Sequence, residues 1–246
     1  MTVQNTAQMI LGCLSDTYRR GFMLFAIGLP AAALVIVPEF AQHVAEIQNG
    51  MFDSRAGAQA FANTPLRWGF GYVKLVGLVL AFLACARFWW TREHGGRWWW
   101  PGEIAWGRLF GAAAIIALVS LSTWPLRGHV QDNWLDIADL ILSLLTLPLV
   151  FYMLSGLFGD RSIPLSVMLK RSWPWVVLLA LLMIFAFAPP QFVHGLLHKW
   201  AIGQSRPVIW VLMIVDSVVV GLLASLVGAA LYTAYDAMAR RLRAPA

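Results

Sequence analysis

A chain of 246 residues that is 60% hydrophobic and only 12% charged is far more apolar than a soluble domain, in which about 25% of residues are charged. Its ionisable residues crowd into short gaps between about six long apolar stretches, which excludes a soluble globular fold and predicts an all-α membrane protein. The net charge of +6 would suggest nucleic acid in a soluble protein. Here the basic residues flank apolar runs, so the expected partners are anionic membrane lipids, with no nucleic acid and with a protein partner left open.

An α-helix rises about 1.5 Å per residue, so about 20 apolar residues cross a bilayer core of roughly 30 Å. Residues 2–20 carry Ala7, Ile10, Leu11, Leu14 and Tyr18 at helical spacing, with Gln4, Gln8, Asp16 and Arg19 elsewhere around the helix. That is the pattern of a helix lying in the interface. The first span is expected over residues 21–37. Arg19-Arg20 and Ala31-Ala32-Ala33 imitate an export signal, but the apolar run continues past the imitated cleavage site, so the segment reads as a retained helix. Residues 38–66 are the longest connection, in which Glu39, His43 and Glu46 suggest a short surface helix and Asn49-Gly50 and Asp53-Ser54 suggest turns. Further spans are expected over residues 68–90, 109–126, 134–158, 173–193 and 208–235. The whole of 1–246 is therefore one transmembrane domain, with a weak parallel repeat between 1–126 and 134–235. Cys13 and Cys85 read as small apolar packing residues.

About two-thirds of the eighteen basic residues fall in one alternate set of gaps, which places that side, and both termini, in the cytoplasm. Tryptophans provide a second marker. Trp68, Trp89, Trp90, Trp124, Trp134, Trp173, Trp175, Trp200 and Trp210 all lie near span ends, as an interfacial belt requires.

Three ionisable residues are expected inside the hydrocarbon: Lys74, Asp139 and Asp216. Charges at that depth cost about 2.5–3.5 kcal/mol each on insertion scales, so Lys74 is expected to pair with Asp139 or Asp216. His194 and His198, four apart, and Glu39 and His43, also four apart, form a second group near His129, Asp132 and Asp136. Histidine with carboxylate is a donor set for zinc or another divalent metal. Pro189-Pro190 and Gly195 interrupt the helix on which the His194–His198 pairing depends, so these side chains read as interfacial polar groups and no metal or cofactor is expected. No phosphate-binding loop, Gly-x-Ser-x-Gly elbow or Cys-x-x-Cys pair occurs, so no enzymatic activity is expected.

Leu165–Trp175 is an amphipathic segment that feeds a span through Lys170-Arg171-Ser172-Trp173, and Leu14–Phe22 has the same design around Arg19-Arg20. These two basic elbows are expected to face lipid. The arrangement resembles the YciC-like bacterial inner-membrane proteins and the related membrane domain of some glycerophosphodiester phosphodiesterases. The resemblance implies a six-helix protein of the bacterial inner membrane and no catalytic residues. The expected role is a non-catalytic, lipid-contacting or partner-binding envelope component. The alternative is a small ion- or proton-coupled transporter using Lys74, Asp139 and Asp216.

Overall fold

The computed structural model describes residues 3–126 and 132–243, which are all-helical with no strand among them. Nine helices follow in order: α1 (Val3–Ile27), α2 (Leu29–Gln48), α3 (Arg55–Ala62), α4 (Pro65–His94), α5 (Trp106–Leu121), α6 (Asp132–Phe158), α7 (Leu165–Arg171), α8 (Trp173–Ala201) and α9 (Arg206–Arg243). The fold is all-α and polytopic. The span count is lower than the six expected: α4, α6, α8 and α9 are long and apolar enough to cross a membrane, and a fifth span counts only if the bent pair α1–α2 is taken as one. The expected third span is α5, only 16 residues long.

The first span is not the straight 21–37 helix expected. α1 runs without interruption from the interfacial segment through Ile27, and the chain then bends by 83° into α2. Gly28 sits at the break, where a Cβ would meet the Phe88 ring at 2.9 Å. Pro30 falls in the first turn of α2, where its missing N–H costs nothing. α2 then continues to Gln48, through the region expected to be a surface connection.

Two compact units form, one from Met1–Trp98 with Leu181–Thr233 and the other from Trp99–Ala180 with Ala234–Ala246. In the first unit, Val35 of α2, Ala81 of α4 and Val220 and Ala224 of α9 make a dry cluster. The approach of α2 to α4 depends on two residues. Pro38 has no N–H for the Leu34 carbonyl, and a Cβ at Gly77 would come within 2.5 Å of that carbonyl oxygen. Only glycine admits the contact, as at other membrane helix crossings built on small residues.

In the second unit the Arg108 guanidinium donates to the Ser155 hydroxyl (3.3 Å) and to the carbonyls of Asp160 (3.0 Å), Arg161 (3.2 Å) and Ile163 (3.1 Å), tying α5 to the end of α6. Asp160 accepts from Tyr235 at 2.6 Å and from Arg243 and Ser162. Burial works to raise its carboxyl, but those hydrogen bonds and the Arg243 charge hold it below the usual carboxylate range.

Most of the tryptophans expected in the belt are exposed, Trp68, Trp124, Trp134, Trp173 and Trp200 among them, whereas Trp89 and Trp90 are core residues of α4. Cys13 and Cys85 are free thiols.

Candidate functional site: a buried histidine–carboxylate centre

Glu39, His43 and Glu46 recur at helical spacing, and the helix is there, but the surface is not. All three are wholly buried on α2. Their partners come from α4, α8 and α9, all within the first unit. His43 Nδ1 lies 2.9 Å from Glu46 Oε2, and His43 Nε2 lies 2.9 Å from Asp216 Oδ2 and 3.4 Å from Glu39 Oε1. Asp216 is the hub. His194 Nδ1 sits 2.8 Å and 2.9 Å from its two oxygens, and His198 Nε2 lies 3.3 Å from Oδ2.

The helix carrying His194 and His198 runs unbroken through Pro189-Pro190, so the interruption expected there does not occur. Proline at position 189 deprives the Phe185 carbonyl of its helical donor. The Tyr18 hydroxyl supplies one instead, at 2.6 Å, which is how membrane helices tolerate proline. The two histidines consequently share a face, their rings 4.7 Å apart.

Lys74 reaches this centre from α4, and its partner is Glu39 at 3.3 Å rather than Asp216 or Asp139. The depths explain the convergence. Glu39, Lys74 and Asp216 each lie about 14–15 Å from the same end of the unit, at roughly 1.5 Å per residue along their helices. Asp139 belongs to the second unit, where it accepts from the Thr123 hydroxyl. Arg67 lies 3.5 Å from Glu46, and Gln42 donates to Glu46 at 2.6 Å.

An ionised carboxylate only accepts, so the His43 ring, wedged between Glu46 and Asp216, needs a proton in each of its two short contacts. Glu39, Glu46 and Asp216 thus face His43, Lys74 and Arg67 across the centre. Glu39 Oε2, Gln42 Oε1 and His198 Nε2 are also buried without a hydrogen-bond partner. Such atoms are costly, of order 1–3 kcal/mol each, and call for an explanation.

One end of the centre is closed by apolar packing. Ile47, Phe52, Phe61, Ala201, Ile209 and Met213 form a cluster, and the Phe52 ring lies 5.8 Å from that of His198. Beside it, Gln42, Arg67, Trp68, Tyr72 and Lys74 help line a cavity of about 310 Å³ between α2 and α4. His194, His198 and Lys74 are partly exposed (17%, 21% and 26%), whereas Glu39 and Asp216 are at 0%.

The remaining expected residues lie elsewhere. Lys170 and Arg171 are exposed at the end of α7, as a basic elbow requires. Arg19 is exposed, with its side chain at 68%. Arg20, expected to face lipid beside it, is buried. Its guanidinium pairs with Glu93 at 2.9 Å, donates to Thr233 at 3.3 Å and lies over the Tyr232 ring. His129 lies outside the described residues, as does the Asp132 side chain, and Asp136 is exposed on α6. Glu46 and Gln42 enter the centre without having been candidates; the i, i+3 and i, i+4 spacings from Glu39 through His43 to Glu46 were the available signal.

No family model, curated protein or solved structure matches the chain.

Proposed function

We propose that the protein is a multi-pass protein of the bacterial inner membrane that passes a small cation through the buried centre of its first unit, without covalent catalysis. The observation that carries the reading is the concentration of three histidines, three carboxylates and two basic residues on α2 and on the long apolar helices α4, α8 and α9. Ionisable groups there are expensive and mark ion and proton pathways. The partial exposure of His194, His198 and Lys74, with Lys74 also lining a cavity, supports entry of a cation. The test is flux into proteoliposomes, followed with dyes for H⁺, Na⁺ and Zn²⁺. Wild type should carry at least one of these above protein-free vesicles, and Asp216→Asn should fall to background. Equal flux through both proteins, or none through wild type, would overturn the reading.

A second reading, a lipid-contacting or partner-binding envelope component of the YciC-like kind, is supported by the exposed Lys170-Arg171 elbow, since each basic residue near an anionic surface contributes about 1 kcal/mol. Both readings share one topology, with the termini and the loops 91–107 and 159–172 in the cytoplasm, which requires the short helix α5 to cross the membrane as α6 does and the bent pair α1–α2 to cross as one span. A reporter fused after Gly96 should be active only as a cytoplasmic reporter; periplasmic activity there would invert every side assignment.

A further inference from the structure

The geometry points to a divalent transition-metal site at Glu39, His194, His198 and Asp216, an inference that rests on the cation-handling reading and names its ion. Each of the four offers one ligand atom, and these atoms lie within 4.8 Å of one another. Two imidazoles and two carboxylates suit a borderline ion such as Zn²⁺, Mn²⁺ or Co²⁺. Mg²⁺ and Ca²⁺ prefer all-oxygen shells, and a soft ion prefers sulfur ligands, which the group lacks. His194 and His198 form an i, i+4 pair on one face of α8.

Three further features fit a metal. Glu39 Oε2 is fully buried and unpartnered, and His198 Nε2 has no hydrogen bond although it lies 3.3 Å from Asp216. Both residues belong to the four-residue ligand group. The orienting layer is also present: His43 holds Asp216 Oδ2 at 2.9 Å and is itself braced by Glu46 at 2.9 Å, the kind of outer contact that fixes a ligating carboxylate. Finally, Lys74 sits 3.3 Å from Glu39 and lines the cavity of about 310 Å³. It acts as a resident counter-charge on Glu39, and the cavity gives its side chain room to withdraw when an ion takes its place.

The experiment uses full-length protein in detergent micelles, purified on a non-histidine tag, stripped with chelator and dialysed against ZnCl₂ or CoCl₂. Elemental analysis should find one ion per chain, and the Co²⁺ complex should show visible d–d absorption. His194→Ala with His198→Ala should weaken binding about 100-fold. Lys74→Met should tighten it about tenfold by removing the competing charge. His94→Ala, a histidine stacked on Trp90 away from the centre, should leave it unchanged. Where the double variant does not fold, the wild-type melting temperature decides, and it should rise with ZnCl₂. Sub-stoichiometric wild-type binding, or a folded double variant that binds like wild type, would overturn the site. Flux of H⁺ or Na⁺ without metal binding removes the metal site and leaves the transport reading standing. Metal binding without any flux does the reverse.

Discussion

Asp216→Leu is expected to be the most destabilising single substitution in the first unit, with a loss of about 3–5 kcal/mol, the range for breaking one member of a buried charged network. Asp216 is fully buried and takes contacts from three histidines. Leucine matches its bulk but accepts nothing. His43 and His194 then lose their acceptor, and the centre keeps its positive charges with one fewer carboxylate. Asp216→Asn keeps one acceptor oxygen and should lose less, about 1–3 kcal/mol. A loss of the larger size is a substantial part of the 5–15 kcal/mol that holds a typical fold. Tryptophan fluorescence during thermal unfolding in detergent measures it. A melting curve for Asp216→Leu that superimposes on wild type would mean that the contacts of this carboxylate carry no weight.

The second large effect is asymmetric. Lys74→Met strands Glu39, a carboxylate with no exposed surface and one oxygen already unpartnered, and should lose about 3 kcal/mol. Glu39→Gln strands Lys74 instead. That side chain is 26% exposed and has a long apolar stem with which to reach outward, so the loss should be smaller, about 1 kcal/mol. The double variant should then resemble Glu39→Gln alone, because once the carboxylate is gone the lysine has nothing to neutralise. Additive losses in this cycle would show that the two residues are not coupled.

The apolar helices and their polar gaps were legible because they depend on hydropathy and helical rise alone. Lys74 and Asp216 were legible as charges within apolar helices for the same reason. Their partners were not. Glu39 was assigned to a surface connection, since a Glu, His, Glu stripe next to Asn49-Gly50 looks solvated until α4, α8 and α9 supply partners remote in sequence. Pro189-Pro190 misled in the same way. Whether a proline breaks a helix depends on who satisfies the freed carbonyl, and here that is Tyr18, on another helix. Arg20 follows the pattern too: the basic pair was visible, but Glu93 and Tyr232, which bury one member of it, come from α4 and α9. Local periodicity reports which residues share a face. It does not report what that face meets.

Water access to the centre separates a working cation site from a static polar core. In a Cys13→Ser, Cys85→Ala background, His198→Cys and, as a buried reference, Ala224→Cys can be exposed to a membrane-impermeant cationic thiol reagent in oriented proteoliposomes. His198 is partly exposed and Ala224 is wholly buried. The thiol at position 198 should react readily from one side of the membrane while that at 224 stays inert. If a folded His198→Cys protein is unreactive from both sides, the centre is dry, no cation reaches it, and the cation-handling account fails.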